Sequence, residues 1–392
     1  MVCARAQILL AAIAILSALL IGGCQPMSSS ATFMSSGKVN FDEGQYDQAI
    51  VDYTIAIKID PKVADAYIGR GNAYFEKAHF DESLADFKKA VELSPGSAEA
   101  LTGRGRAYSY KRQFDLAIQD LNDAIQINPA FSEAYFRLGR CYRMQKNPDL
   151  ARAMASYNKA IELNGEVADY YEGLGNYLWD MKEYDKAFQL YDKTIELKGP
   201  RLAANYSTRS FRYGSIREYD KAIADDSMCI QLKPDEANYY NSRGWHYLMN
   251  DELEKALPDI NKSLELNPNA GYVWDSRGWY YYLTGDVNQA LADINRALEL
   301  DATDGTVFGH RGMCYYATKE YDKAMADLNK AIDIDGKNAE AFLYRGLCYK
   351  ILGQPDKAIA DFQSANSFSD NAALKKRAID EITNLRQAEQ DG

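Results

Sequence analysis

Between Ala64 and Ser97, apolar and small residues return every three or four positions. Tyr67, Gly71 and Tyr74 share one face of a first segment, and Ser83, Phe87 and Ala90 share one face of a second. Polar side chains fill the positions between. This spacing predicts two amphipathic helices. His79-Phe80-Asp81 interrupts the pattern between them, and Pro95 stops the second. Glycine in a helix interior costs about 1 kcal/mol relative to alanine, so Gly71 needs a packing reason. With Ser83 and Ala90 opposite, it allows the two backbones to approach closely, and Tyr74 and Phe87 fill the remaining space.

The pattern returns 34 residues on, with Leu101, Gly105, Tyr108, Ala117, Leu121, Ala124 and Pro129. It can be followed through ten copies, at 30–63, 64–97, 98–131, 132–167, 168–202, 203–236, 237–270, 271–304, 305–338 and 339–372. Period and pattern resemble the tetratricopeptide repeat. The resemblance implies an all-α fold, a right-handed superhelical solenoid of about ten helix-turn-helix repeats. Stacked pairs then share one continuous core. A last amphipathic stretch, 373–392, is predicted to cap the array. Its Leu374, Ile379, Ile382 and Leu385 would cover the tenth copy, leaving Lys375, Lys376, Arg377 and Glu381 in water. Extra residues near Gln145 to Asp149 and at Gly199-Pro200 predict a change of twist or a hinge within 145–205. Pro258, inside the second helix of the seventh copy, predicts a bend there.

An arginine precedes the recurring glycine in most copies, and an aspartate follows it by sixteen residues. The pairs are Arg70 with Asp86, Arg104 with Asp120, Arg209 with Asp225, Arg243 with Asp259, Arg277 with Asp293, Arg311 with Asp327 and Arg345 with Asp361. Copies four and five lack both, with Leu138 and Leu174 in the arginine position. The first copy has Ser36 with Asp52. Because the two types occur and vanish together, they predict an ion pair within each repeat, with forked geometry.

Composition then narrows the functional classes. Hydrophobic content of 47% with 26% charged residues suits a soluble repeat array. A net charge of -11 argues against nucleic-acid binding, which needs a basic face. Of six cysteines, Cys141, Cys314 and Cys348 share one repeat position and Cys229 takes a small-residue position, which predicts buried free thiols. No cysteine or histidine spacing resembles a metal site, and no cofactor is expected beyond a covalent lipid. No phosphate loop and no His-Glu-x-x-His occurs. No catalytic residue is assigned, the chain is not expected to be an enzyme, and no small-molecule substrate is expected.

The first 23 residues carry one charge, Arg5, before an apolar run from Ile8 to Ile21 broken only by Ser17. That run is short for a spanning helix and fits a signal-peptide core. Ile21-Gly22-Gly23-Cys24 resembles a bacterial lipobox. The resemblance implies cleavage after Gly23, lipid on Cys24, and residues 24–29 as a tether. An uncleaved anchor or ordinary secretory cleavage is the alternative. Gln25, by resemblance to enterobacterial sorting, points to the outer membrane facing the periplasm.

In proteins of this repeat family the first helices line the face that binds partners. The corresponding positions here include Phe75, Arg106, Arg140, Arg143, Trp179, Phe211, Trp245, Trp279, Tyr282 and Tyr316. Early copies offer asparagine and arginine, and later copies large apolar residues. The late row either binds a partner or turns sideways onto the neighbouring first helix. Arg106, Arg140 and Arg143 suit an acidic segment or a terminal carboxylate, although the Lys/Asn/Arg pattern of the family's carboxylate clamp is not met. The sequence therefore points to a lipid-anchored envelope scaffold that binds proteins or peptides. Glycan binding by Trp179, Trp245, Trp279 and Tyr282 is the alternative, and the oligomeric state is left open.

Overall fold

The structure, a computed structural model, describes residues 29–391. The expected signal segment, Cys24 and the tether up to residue 28 lie outside these. The described residues form 21 helices and no strand. They divide into two compact units, one ending at Leu197 and one starting at Lys198, a division that falls within the irregular stretch 145–205.

The first unit stacks five helical pairs: α1 (Ser30–Asp42) with α2 (Tyr46–Ile59), α3 (Ala64–Glu76) with α4 (Phe80–Leu93), α5 (Ala98–Tyr110) with α6 (Phe114–Ile127), α7 (Ser132–Met144) with α8 (Leu150–Leu163), and α9 (Ala168–Asp180) with α10 (Tyr184–Glu196). The second unit stacks five more: α11 (Leu202–Ser215) with α12 (Tyr219–Leu232), α13 (Ala237–Met249) with α14 (Leu253–Leu266), α15 (Gly271–Leu283) with α16 (Val287–Leu300), α17 (Gly305–Ala317) with α18 (Tyr321–Ile334), and α19 (Ala339–Ile351) with α20 (Pro355–Phe368). A single helix, α21 (Ala372–Asp391), follows. Within each unit, first helices also lie beside the first helices of adjacent pairs.

Each pair turns through the same backbone device. The second residue after the first helix takes left-handed φ: Gly44, Ala78, Arg112, Lys182, Arg217, Asp251, Gly285, Lys319 and Gly353. The next N–H reaches back five residues, as in His79 N–H donating to the Tyr74 carbonyl and Gln113 N–H to Tyr108. This is the Schellman arrangement, which satisfies carbonyls that the helix end would otherwise strand. The fourth pair differs. Its two extra residues carry the chain through extended Gln145, and Asp149 N–H closes onto the Tyr142 carbonyl instead.

Small residues set how closely helices pack. A Cβ at Gly103 on α5 would come within 2.1 Å of the Phe87 ring on α4, and one at Gly278 within 2.6 Å of Ile294. Phe87 and Ile294 are fully buried there, so the missing side chains let neighbouring helices pack closely around them. Helix α14 continues through the exposed Pro258. The four cysteines of the described residues are free and buried. Burial pushes the thiols of Cys141, Cys229 and Cys314 up to about 12 and that of Cys348 to about 11, so they stay protonated and unreactive.

The terminal helix covers the tenth pair with three of the four expected residues, Ala378 standing in for Ile379. Leu374 and Ala378 are buried there, with Ile382 and Leu385 packed against the same cluster. Ile379 is instead 49% exposed. Positions 374, 378, 382 and 385 follow the helical repeat along one stripe, whereas 379 lies about 100° round from 378.

Candidate functional site

The recurring arginines and aspartates meet in the same way in seven pairs. Arg277 Nε and Nη2 donate to the two carboxylate oxygens of Asp293, at 2.7 and 3.0 Å. Arg70–Asp86, Arg104–Asp120, Arg209–Asp225, Arg243–Asp259, Arg311–Asp327 and Arg345–Asp361 repeat this fork. In the first pair Asp52 has no arginine. It accepts instead from Ser36, Asn40 and Gln48.

A further contact was not anticipated. The remaining arginine nitrogen, Nη1, donates to a residue on the preceding pair: Arg70 to Thr54, Arg243 to Ser227, Arg277 to Asn261, Arg311 to Asn295 and Arg345 to Asn329. The signal was present in the sequence, because each acceptor stands sixteen residues ahead of its arginine. These side chains therefore tie the stack together and are not available to a ligand.

On the first unit, the first-helix face holds a depression of about 550 Å³. Met34, Phe41, Tyr53 and Ile68 supply its apolar wall, and Lys38, Asp65, Asn72 and Glu99 its polar one. Burial and the neighbouring Asp65 raise the Glu99 carboxyl above the usual carboxylate range. Beyond it lie the arginines. Arg106 lies 3.9 Å above the centre of the Phe75 ring and donates to the neutral Asn72 side chain at 2.7 Å. Glu76 is 3.6 Å away, and Arg106 Nε has no partner. Burial, with repulsion from Arg137, lowers the Arg106 pKa to about 10. Arg140 sits over the Tyr110 ring, Arg137 is held by Glu133, and Arg143 by Asp180. Phe75 is buried beneath Arg106, edge-on to Phe80 and Tyr110, so it supports the face and does not present a free contact. Trp179 packs on Tyr184 and Phe188.

The second unit shows the opposite arrangement over most of its first-helix face. Trp279 is 9% exposed. Its ring is stacked between Tyr282, at 5.2 Å, and His310, at 4.4 Å. Met313 is buried in the same cluster, and Trp245 packs against it. The Tyr282 hydroxyl meets that of Tyr344 two pairs on, at 3.2 Å, and Tyr316 packs edge-on to Tyr344. Arg377 of the terminal helix lies over the Tyr344 ring. The late row is thus not an exposed aromatic surface: the rings turn onto the neighbouring first helices. Trp279 offers little surface for a sugar to stack on, because its ring is buried against Tyr282 and His310. Phe211 alone of the named late residues is open, at 66% exposure.

Two buried histidines, which the sequence reading left unassigned, complete this unit. His310 Nδ1 faces both oxygens of Asp275, at 2.9 and 3.0 Å. His246 Nδ1 lies 2.6 Å from Asp226, which also accepts from Ser210. These groups join first helices to their neighbours. Among the described residues no cluster of His, Cys, Asp or Glu could hold a metal ion. No described helix is long and apolar enough to cross a membrane.

Comparison with known proteins agrees with the architecture. Tetratricopeptide repeat models match residues 64–97, 102–156, 149–201 and 272–304, and a further repeat model of that family matches 37–78 and 312–353. The chain carries tetratricopeptide repeats and has their all-α solenoid fold. Heat shock protein STI1 of Saccharomyces cerevisiae is 36% identical over 67 residues, 17% of this chain and 11% of that protein. A UDP-N-acetylglucosamine–peptide N-acetylglucosaminyltransferase of Giardia intestinalis is 40% identical over 70 residues, again 17% of this chain, and 5% of that protein. The chain thus matches only a small part of either relative. Among solved structures, yeast Tom70 aligns over 92% of this chain and 96% of that one, at 15% identity and a TM-score of 0.46. A MamA structure aligns over 41% and 94%, at 26% identity and a TM-score of 0.34.

Proposed function

We propose that this chain is a lipid-anchored adaptor of the cell envelope that holds an extended segment of a partner protein on the first-helix face of its first unit. One observation carries the choice of face. The first unit leaves a depression of about 550 Å³ with polar groups around it, while the second covers its own face with Trp279, Tyr282, Tyr316 and Tyr344. A pocket with an apolar wall and a few convergent polar groups suits a peptide side chain. The lipobox resemblance at Ile21 to Cys24 supports the anchor, and Gln25 supports the outer membrane, facing the periplasm. Assembly of an envelope complex is the role such an anchored surface would serve.

A photo-crosslinking amino acid at Asn72, on the depression, tests the surface in intact cells, with Leu116 on an exposed second-helix position as control. The expected result is a discrete cross-linked protein from position 72 that position 116 does not give. Identical patterns from both positions would sink the reading. For the anchor, Cys24→Ala should abolish incorporation of labelled palmitate. Equal labelling of parent and variant would remove the lipid from the proposal.

A further inference from the structure

Glycine keeps the depression of the first unit open. Gly69 lines it, and a Cβ there would come within 2.4 Å of the Tyr53 ring. Gly103 holds the same place one pair on. In the fourth pair that place is Arg137, whose Nε donates to Glu133, four residues earlier on α7, at 2.6 Å. The acid itself recurs. Asp65 stands four residues before Gly69 on α3, and Glu99 four before Gly103 on α5. Glycine in the place of that arginine therefore does two things. It opens space, and it leaves two carboxylates without the cation that their counterpart has. Among the described residues no lysine or arginine bonds Asp65 or Glu99.

The rest of the lining does not supply the missing charge. Lys38 is its one cation, and Lys38 is bonded to Asp42, at 3.3 Å. Three carboxylates, those of Asp42, Asp65 and Glu99, share that single ammonium. Arg106, on the neighbouring stretch of the face, is turned to Asn72 and Glu76. Burial and then Asp65 raise the Glu99 carboxyl, and the more distant Lys38 offsets this only in part. Beside the acids, Met34, Phe41, Tyr53 and Ile68 form an apolar wall. Apolar wall and carboxylates together match a side chain with a hydrocarbon stem and a cationic head.

Resting on the peptide-binding reading above, we infer that the docked segment is basic, and that one of its lysine or arginine side chains fills the depression with its cation at Asp65 and Glu99. That cation takes the part which Arg137 takes at Glu133 inside the chain. The stem covers the apolar wall. Charge decides which segments dock, since an acidic one would bring its charge to carboxylates that already repel each other.

Selection of a random dodecamer library displayed on phage, against the full chain in detergent, tests this. Binders are assigned to the depression by their loss with Asn72→Trp, a residue that the same repeat position already carries as Trp245 and Trp279. The expected outcome is enrichment of Lys and Arg among the assigned binders. Synthetic copies should lose about tenfold in affinity when Lys is replaced by norleucine or Arg by citrulline, and again about tenfold with Asp65→Asn or Glu99→Gln. Asp115→Asn, at an exposed position of α6, should leave affinity unchanged. Melting curves check that each variant folds, and the exposed Asp65 serves if Glu99→Gln does not. Assigned binders without basic enrichment, or indifferent to these exchanges, would overturn this inference and leave the peptide-binding reading intact. Binders weakened as much by Asp115→Asn would also overturn it, since they answer only to the overall negative charge of the chain. A selection with no binder sensitive to Asn72→Trp would overturn both.

Discussion

Lys319 holds its backbone at φ 63°, a region where a side chain costs roughly 1–2 kcal/mol. Gly353 occupies the equivalent place one repeat on without that cost. Glycine in turn loses more chain entropy on folding. Lys319→Gly should therefore raise stability by about 0.5–1 kcal/mol, and Gly353→Ala should lower it by a similar amount, in urea titrations. Opposite signs would mean that the local sequence, not the turn geometry, decides these positions. His310 gives a second prediction. Burial pulls its pKa down, but the charge and hydrogen bond of Asp275 outweigh this, with smaller contributions from Glu340 and Asp304, so it ends above the ordinary imidazole value. A raised folded pKa stabilises fully below the unfolded value of about 6.5 and is lost as pH rises through the folded value. The thermal stability of the second unit should thus fall as pH climbs from about 6.5 through that higher value. Asp275→Asn should flatten the dependence and cost on the order of 3 kcal/mol, since it leaves one partner of a buried pair alone.

The pairing of arginine with aspartate belongs to the helical pair. Arg277 lies over the Trp274 ring, at 4.7 Å, while it forks onto Asp293. Asp293→Ala should cost about 3 kcal/mol, and Arg277→Lys should lose much of the same, because an ammonium cannot make the fork. Denaturant midpoints of the two variants check this, and a lysine that restored full stability would show that charge alone suffices. Much at this scale was legible in the sequence. Arginine and aspartate occur together at a spacing of sixteen, and that co-occurrence identifies partners without geometry. The helical pairs were legible for the same reason, since a 34-residue period is long enough to count. The fate of the first-helix face was not. Trp279 and Arg106 occupy the same repeat position, yet one is covered and the other stays beside an open depression. What decides is the residue two places before the glycine of the next first helix: His310 covers Trp279 and Tyr344 packs on Tyr316, whereas Arg137 stands there after Arg106, and Gly69 and Gly103 stand there at the depression. Spacing assigns a residue to a face but not to the shape of its neighbour.

Across the whole molecule, the two units use one plan with different interiors. Tyr157 and Tyr191 are among the largest fully buried side chains of the first, and Ile260, Ile294 and Leu328 fill the matching place in the second. The arginine ladder differs as well. In the second unit, Arg243, Arg277, Arg311 and Arg345 each reach back to the preceding pair without a gap. In the first, Arg70 does so, Lys88 stands where Arg104 would need an acceptor, and Leu138 and Leu174 replace the next two arginines. A stack of repeats behaves as a one-dimensional chain of units coupled to their nearest neighbours. Strong, uninterrupted coupling makes such a chain open all at once, and weak links let it open piece by piece. Native-state hydrogen exchange should accordingly find one shared opening free energy for α13 to α20, and a graded series from α5 to α10. The same side chains that settle how each pair folds would then also set how large a piece of the protein can come undone at one time.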